Sequence, residues 1–323
     1  MSGPAKDAPA NGSPDAIREF RTGPDIFRIV CWVASVTAVA ILIWIFVAVF
    51  QQAFPAIQQL GLGFITGTRW SPNREEYGAL AFIIGTAASS FIALFLAFPL
   101  GVAIAIFLSE NFLPLPIRNT IRFVVELLAA IPSVVFGLWG IFVVVPLVQK
   151  YGPIVADTFG SAIPWLKGPV YGNSLFTASI ILALMVLPTI TAISRNALVA
   201  VPKTLREGTY ALGATRWEAI WGVILPTAAP GIVAATILAF GRAMGETMAV
   251  AMLIGNSPRM PNSLFGPAGT LAGQMANQFA EASGLQISAL MYAALLLVVL
   301  TLGVNIAGEM VLRYTSKQTA GIR

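Results

Sequence analysis

The chain has 323 residues, of which 19 are Lys or Arg and 14 are Asp or Glu, so 10% carry charge while 57% are hydrophobic. Soluble domains carry about 25% charged residues, and a globule of this size would expose far more ionised surface. A water-soluble enzyme or binding domain is therefore excluded, and the composition indicates an integral membrane protein.

Two residue counts narrow the chemistry further. The sequence has no histidine and one cysteine, which excludes His-based acid–base catalysis, His or Cys metal sites and an intrachain disulfide. No phosphate-binding loop of the form GxxxxGK[ST] occurs, so we expect this chain to bind no nucleotide and no other cofactor itself. The net charge of +5 does not indicate a nucleic-acid partner, because the basic residues are dispersed along the chain.

In chain order, the first 27 residues are rich in Ala, Pro, Gly and charge, which predicts a disordered cytosolic tail. Long apolar runs follow, and about 20 apolar helical residues suffice to cross a bilayer. We predict an all-α fold with six transmembrane helices, at about residues 29–52, 79–108, 119–147, 174–200, 228–255 and 287–312. The predicted parts are the tail (1–27), the first span with its external loop (28–76), the main transmembrane domain (77–312) and a cytosolic C-terminal tail (313–323).

The Lys and Arg residues predict the orientation of these spans. The two tails and the connections at 109–122 and 195–222 hold thirteen of them, whereas the other three connections hold five. Cytosolic loops carry the excess of positive charge in membrane proteins. Both termini are therefore predicted to be cytosolic.

The longest cytosolic connection, residues 202–226, is called the elbow below. Thr204 and Glu207 have the spacing of a capping box at the start of a short helix, and Gly213 is expected to end that helix. A second short helix is expected to follow and to stop at Pro226. Apolar side chains along the elbow indicate a protein partner.

Few ionisable residues fall within the predicted spans. Arg242 lies about 21 Å along the fifth span, near the bilayer middle, where an Arg costs about 2.5–3.5 kcal/mol or more. Glu246 follows four positions later, on the same face of a continuous helix, so the two side chains can meet. They form either a structural pair that stabilises packing or part of a polar path, in which Arg242 binds an oxyanion through bidentate hydrogen bonds. We favour the path, because apolar residues would stabilise the packing at lower cost.

The elbow resembles the EAA loop of ABC importer permeases, whose pattern is Glu-Ala-Ala-x3-Gly-x9-Ile-x-Leu-Pro. Glu207, Gly213 and Val223–Pro226 occupy the matching positions, while Gly208 and Thr209 replace the two alanines. In that family the elbow inserts into a groove on the ATPase subunit. The resemblance therefore implies coupling to an ATPase through Glu207, Gly208, Gly213, Ala214, Leu225 and Pro226.

Two further segments resemble the phosphate-specific (Pst-type) permeases, and the first of their two permease subunits in particular. They read GRAMGETMAVAMLIGN at 241–256 and ELLAAIPSVVFGLWGIFVVVP at 126–146. In that family the Arg and Glu of the first segment are assigned to the phosphate path, which transfers here to Arg242 and Glu246. From the residues alone we add further polar groups expected to face that path, namely Glu126, Ser133, Thr247 and Asn256.

The resemblance implies a type I ABC importer permease of the MetI-like bundle, in the bacterial cytoplasmic membrane. It implies a heterodimer with a second permease subunit, two ATPase subunits that bind ATP with magnesium, and an external phosphate-binding protein. The expected function is the import of inorganic phosphate by alternating access. The alternatives are a permease for phosphonate, molybdate or sulfate and, from other classes, an ion-coupled secondary transporter or a membrane enzyme.

Overall fold

The structure is a computed structural model that describes residues 25–110 and 112–320, with side chains from residue 27 to residue 313 apart from residue 111. The elements are α1 (Asp25–Leu60), α2 (Gly63–Thr66), β1 (Trp70–Ser71), β2 (Glu76–Tyr77), α3 (Leu80–Ser109), α4 (Leu115–Ala130), α5 (Ser133–Trp139), α6 (Val145–Phe159), α7 (Leu175–Val199), α8 (Lys203–Ala211), α9 (Arg216–Ala219), α10 (Leu225–Met244), α11 (Met248–Leu253), α12 (Leu271–Gln278) and α13 (Leu285–Ala320). Turns of π-helix at Gly140–Val144 and Ile220–Ile224 join α5 to α6 and α9 to α10. Short 3-10 segments lie at Pro72–Arg74 and Pro164–Leu166.

The structure describes only part of the two predicted tails. Residues 1–24 of the N-terminal tail and the last three residues of the chain lie outside the described residues. The predicted C-terminal tail is helical where it is described, because α13 continues to Ala320.

Six helical stretches of the described chain are long and apolar enough to cross a membrane. They are Phe27–Leu60, Leu80–Ser109, Ser133–Phe159, Leu175–Val199, Arg216–Met244 and Leu285–Arg313. The prediction of an all-α, multi-pass membrane protein with six spans is therefore confirmed. The chain divides into two compact units, residues 1–51 and 52–323, and the first contains most of α1 with exposed apolar side chains such as Trp32 and Trp44.

The third span differs from its prediction. The expected helix at 119–147 is two helices, α4 and the span Ser133–Phe159, with a break at Ile131 and Pro132. Ile131 is extended, with φ −69° and ψ 128°, because the ring of a following proline disfavours the helical conformation. The predicted span, which began at residue 119, therefore joined most of α4 to the third span as one helix.

Both π-helical turns end two residues before a proline, at Pro146 and Pro226. Proline lacks an N–H donor and its ring crowds the carbonyl four residues back, and a π turn changes the hydrogen-bond register at that point. The helix therefore continues through each proline. The expected stop at Pro226 is wrong, and the fifth span runs without interruption from Arg216 to Met244.

Helix α7 lies at the centre of the larger unit, and 67% of its most apolar stretch is buried. It contacts α3 more extensively than any other element and also packs against α10. The face of α3 toward this core carries small buried residues at intervals of four, namely Ala93, Ala97, Gly101 and Ala105. A Cβ atom at Gly101 would lie 2.9 Å from Ile190 Cγ2. Small residues therefore allow α3 and α7 to approach closely, as in other membrane helix pairs.

A short hairpin anchors the connection between the first two spans. Trp70 on β1 pairs with Tyr77 on β2, and their rings meet edge to face at 5.1 Å. The Trp70 ring also meets Phe82 at 5.5 Å, and its indole Nε1–H donates to Gln278 Oε1 at 2.8 Å. The hairpin thereby links the start of α3 to the end of α12.

Candidate functional site

The segment that carries Arg242 and Glu246 is a broken helix. Helix α10 ends at Met244, Gly245 follows as its C-cap, and α11 begins at Met248. Glu246 Oε1 accepts a hydrogen bond from the backbone N–H of Ala249 at 3.4 Å, so its carboxylate satisfies one of the free donors at the start of α11. The predicted continuous fifth span to residue 255 is therefore wrong beyond Met244.

Arg242 and Glu246 do not form the expected ion pair, because α10 ends between them. The described residues contain three ion pairs, namely Arg122–Glu126, Arg206–Glu110 and Arg313–Glu309. The guanidinium of Arg242 instead donates from Nη1 to Thr189 Oγ1 on α7 at 3.4 Å. The interpretation of Arg242 and Glu246 as a mutually neutralising structural pair therefore has no contact to support it.

The contact with Thr189 also gives the depth of Arg242. Thr189 lies near the middle of α7, so the Arg242 guanidinium lies near mid-height of the central span. Arg242 is exposed on the described chain, whereas Glu246 and Thr247, a few positions later in the sequence, are half-buried. An arginine at this depth is costly in hydrocarbon, which indicates that its surface faces water or another protein subunit.

Ser133 lies at the same end of the fold as the helix break. A Cβ atom at Gly137 would lie 3.2 Å from Ala249 Cα, and one at Gly140 would lie 2.8 Å from Leu253 Cδ1. Helices α5 and α11 therefore pack in parallel, and their N-terminal ends lie together. The half-buried Ser133 begins α5, so it shares that end with the break between α10 and α11.

Asn256 lies at the opposite end of α11. Its backbone is left-handed, with φ 48°, and follows Gly255 with φ 90°. Its side-chain amide donates to the carbonyl of Ala251 at 2.8 Å, which satisfies a free acceptor in the last turn of the helix. Asn256 therefore closes α11, and its place in a substrate path stays a prediction.

Glu126 does not lie in a span, which corrects its predicted location. It is on α4, which ends before the third span begins, and its side chain is 60% exposed. Its carboxylate accepts from Arg122 Nε at 2.7 Å. It lines a pocket beside Thr191 and Arg195 of α7. Arg242 instead contacts Thr189, which lies about 160° from Thr191 around the helix.

The elbow consists of α8, a glycine turn and α9, as expected. Gly213 ends the first helix with φ 86°, a conformation that favours glycine. The capping box, however, belongs to the second helix. Thr215 Oγ1 accepts from the N–H of Glu218 at 3.4 Å, and Glu218 Oε2 accepts from the N–H of Thr215 at 2.7 Å. The Thr-x-x-Glu spacing occurs twice in the elbow, and at the first occurrence the N-cap residue is Pro202 rather than Thr204.

The predicted coupling residues divide into an exposed tip and a base at which Leu225 is partly buried. Glu207, Gly208 and Gly213 are exposed, and the neighbouring Leu212 is 90% exposed. Ala214 is half-buried, and Pro226 is exposed where the π turn ends. Leu225 packs against a buried cluster at the ends of α3, α7 and α10. The tip is therefore free to meet a partner, while the base joins it to the spans.

Three contacts that hold the elbow were not identified from the sequence. The Arg206 guanidinium donates to the Glu110 carboxylate, and its Nη2 donates to the carbonyl of Leu198 at 2.6 Å. The ring of Phe112 stacks on Trp217 at 5.3 Å. A cavity of about 540 Å³ is lined by Glu110, Phe112 and Arg206. No sequence spacing pairs Arg206 with Glu110 or Phe112 with Trp217, because each of these two contacts joins distant parts of the chain.

Comparison with known proteins decides the class of this fold. The model of the family "Binding-protein-dependent transport system inner membrane component" matches residues 97–315. This chain belongs to that family. It is a subunit of an ABC importer complex and a transport subunit rather than an enzyme.

Curated relatives of the permease cover most of its length. It is 43% identical to the phosphate transport system permease protein PstC of Haemophilus influenzae over 83% of this chain and 86% of the relative. It is 40% identical to the protein of the same name from Mesorhizobium japonicum over 94% of each chain. The resemblance to the phosphate-specific permeases that segments 241–256 and 126–146 indicated is confirmed.

Solved structures support the fold of the permease. A chain of a bacterial ABC transporter that imports alginate aligns with a TM-score of 0.59 at 17% identity, over 90% of this chain and 97% of that chain. A chain of the MetNI methionine ABC transporter in an inward-facing conformation aligns with a TM-score of 0.54 at 22% identity, over 72% and 93% of the two chains. The predicted MetI-like permease bundle is confirmed.

Proposed function

We propose that the chain imports inorganic phosphate across the bacterial cytoplasmic membrane as one permease subunit of an ABC importer. Both termini lie in the cytosol, since the excess of Lys and Arg is on that side. The relatives at 43% and 40% identity are named as phosphate transport permeases, which supports phosphate over phosphonate, molybdate and sulfate. Membership of the binding-protein-dependent family favours an ATP-driven importer over an ion-coupled carrier.

The observation that carries the substrate proposal is the exposed Arg242 guanidinium. It lies near mid-height of α7 with one neutral partner, Thr189. A guanidinium presents a planar set of donors that matches the oxygens of phosphate, and its attraction to an anion strengthens where water is excluded. Glu246 lies beyond the end of α10 and holds the start of α11, so the phosphate meets Arg242 without a carboxylate already bound to it.

The exposed location of Arg242 also supports a partner in the membrane. A bare guanidinium facing lipid is unfavourable by several kcal/mol, and a second permease subunit that covers this surface would enclose the phosphate path between the two chains. The path would then comprise Arg242, Glu246, Thr247 and Ser133 at one end of α11, with Asn256 at the other. Glu126 lies apart from this group, because α4 places it beside Thr191 of α7 and Arg242 contacts Thr189 on another face.

The elbow supports coupling to ATPase subunits. Its tip exposes Leu205, Tyr210 and Leu212 beside Glu207, an apolar surface with one carboxylate that suits a groove on a protein. Two ATPase subunits would bind ATP with magnesium and move the elbow when they close. The fifth span, which continues directly from α9, would then expose Arg242 to one side of the membrane at a time. An external phosphate-binding protein would deliver the anion.

The test is transport by the reconstituted importer. The chain is assembled in proteoliposomes with the candidate second permease, the ATPase and the binding protein, and ATP-dependent uptake of labelled phosphate, sulfate and molybdate is measured. Uptake of phosphate in preference to the other two ions is expected. Equal or faster uptake of sulfate or molybdate would contradict phosphate as the substrate. Uptake without ATP under an ion gradient would contradict the ATP-driven mechanism.

The Arg242→Gln variant tests the site within the same assay. Because charge-assisted hydrogen bonds contribute about 1.5–3 kcal/mol, phosphate uptake should fall by about 10- to 100-fold while assembly of the complex is retained. Arg242→Lys keeps the charge without the planar donors and should be intermediate. Arg259→Gln removes an exposed arginine between α11 and α12 and serves as the matched control. Normal phosphate uptake by the Arg242→Gln variant would show that Arg242 is not part of the phosphate path.

A further inference from the structure

A pocket with charged residues in its lining lies between the ends of α3, α4 and α7, away from Arg242. Its volume is about 180 Å³, and its lining includes Arg122 and Glu126 of α4 and Thr191, Arg195 and Asn196 of α7. It also includes Leu108, the residue before the last one of α3. Since α7 ends at Val199 and α8 begins soon after, the pocket lies at the elbow end of the bundle.

Two hydrogen-bond donors of the pocket lining have no partner among the described residues. They are Arg195 Nε and Thr191 Oγ1, and both atoms are buried. The Thr191 side chain is nearly inaccessible, with 1% of the residue exposed. Buried polar groups in folded proteins are almost always paired, since leaving one unpaired costs about 1–3 kcal/mol. Arg195 and Thr191 of the pocket lining therefore each carry a buried donor without an acceptor in the described chain.

The charges of the pocket identify the kind of acceptor. Glu126 is already bound by Arg122 at 2.7 Å, so one carboxylate faces two guanidinium groups and a positive charge remains at Arg195. An oxyanion supplies both the missing negative charge and several acceptor oxygens. Guanidinium groups bind phosphoryl oxygens in bidentate geometry, and a hydroxyl such as that of Thr191 donates to the same kind of oxygen.

The surroundings of the pocket indicate two sources for such a group. Helix α4 carries exposed apolar side chains, among them Leu115, Ile117 and Phe123, next to Arg122, whose side chain is 55% exposed. A helix of this composition suits the membrane interface, where lipid headgroups present phosphodiesters. The same end of the bundle is predicted to face the cytosol, which contains free phosphate.

We propose that this pocket binds a phosphoryl oxyanion, either free phosphate or the headgroup of an anionic phospholipid, through Arg195, Arg122 and Thr191. The bound group joins α4 to α7 close to the elbow. This site is independent of the proposed transport step, because Arg242 approaches α7 on a different face. Loss of phosphate transport would leave it unaffected.

Binding is measured on the full chain in nanodiscs, in an Arg242→Gln background so that the proposed path does not contribute. One arm adds inorganic phosphate to phosphatidylcholine nanodiscs, with potassium chloride at equal ionic strength as the reference. The other arm replaces part of the phosphatidylcholine with phosphatidylglycerol in the absence of phosphate. The readouts are the midpoint of thermal unfolding, which rises when a ligand binds the folded state, and the ligand concentration that gives half of that rise.

Arg195→Gln should raise the half-saturating concentration at least tenfold, and Thr191→Val should raise it by a smaller factor. Arg118→Gln removes a positive charge from the same helix α4 outside the pocket lining and should leave it unchanged. If Arg195→Gln fails to fold, Arg195→Lys keeps the charge but lacks the Nε donor and should still weaken binding. Comparison of either Arg195 variant with Arg118→Gln distinguishes binding in the pocket from general attraction of an anion to a basic surface.

The two arms distinguish the sources. A rise with phosphate alone assigns the pocket to free phosphate, a rise with phosphatidylglycerol alone assigns it to lipid, and a rise with both that is not additive assigns one pocket to both. The proposal is overturned if neither ligand raises the midpoint. It is equally overturned if the rise is the same in the Arg195 and Arg118 variants.

Discussion

The Arg206 guanidinium on α8 donates to the Glu110 carboxylate at the end of α3, across 96 residues of sequence. The two side chains are only 18% and 11% exposed. Arg206 also binds the Leu198 carbonyl in the last turn of α7, so one side chain of the elbow contacts the ends of two spans. In the proposed importer, movement of the elbow would be transmitted to α3 and α7 through this residue.

Breaking this contact should loosen the elbow. Removing either partner leaves a mostly buried charge, which costs about 3 kcal/mol, so Arg206→Gln and Glu110→Gln should each lower the unfolding temperature. Phosphate moved per ATP hydrolysed should also fall, because the ATPase then moves an elbow that is no longer held to the spans. The Arg206→Gln and Glu110→Gln double variant should be less destabilised than the sum of the two. Strict additivity in that thermodynamic cycle would show that the contact has no role.

Substitution of Glu207 at the elbow tip should weaken coupling to the ATPase without changing the stability of the chain. It is exposed, so Glu207→Lys should leave the stability of the chain within about 0.5 kcal/mol while weakening ATP-dependent uptake in the reconstituted importer. Glu281→Lys reverses an exposed charge in the connection before α13 and serves as the control. Unchanged transport with Glu207→Lys would mean that the coupling surface lies elsewhere.

Two glycines of the elbow should respond in opposite directions to alanine. Gly213 has φ 86°, a conformation that costs an L-residue about 1–2 kcal/mol, so Gly213→Ala should destabilise the elbow and reduce binding of the ATPase. A Cβ atom at Gly208, inside α8, meets nothing within 4 Å, so Gly208→Ala should stabilise α8 by about 0.5–1 kcal/mol. Protection of the α8 amides from hydrogen exchange measures both changes. Equal effects of the two substitutions would contradict the left-handed turn.

Gly85 on α3 should be intolerant of a side chain. Its Cβ atom would lie 2.0 Å from the backbone oxygen of Gly269, which cannot rotate away, so Gly85→Ala should destabilise the chain by about 3 kcal/mol. Gly303 on α13 has open space around it, and Gly303→Ala should be neutral or slightly stabilising. Thermal unfolding in detergent compares the two. A stable Gly85→Ala variant would show that α3 and the 269 loop are farther apart than described.

The sequence around Arg242 predicted only part of its surroundings. The length of the apolar run predicted Arg242 near the middle of the fifth span, whereas in the structure it lies in the last turn of α10 and contacts Thr189 near the middle of α7. The prediction paired Arg242 with Glu246 because a continuous helix would bring them together. That helix ends at Met244 with Gly245 as its C-cap, and Glu246 instead accepts a hydrogen bond at the start of α11. A single glycine in an apolar run is not a reliable signal of such a break.

The sequence by itself determined the membrane class, the six spans, the elbow and its turn at Gly213, because apolar run length, charge sidedness and glycine chemistry are local properties. The tertiary structure decided where helices break and which distant groups meet. Arg206 reaches Glu110, Arg242 reaches Thr189, and the pocket at Arg195 forms only where α3, α4 and α7 converge. The physical reason is that hydrogen bonds between helices depend on packing, and packing depends on how close small residues such as Gly101 let the helices approach.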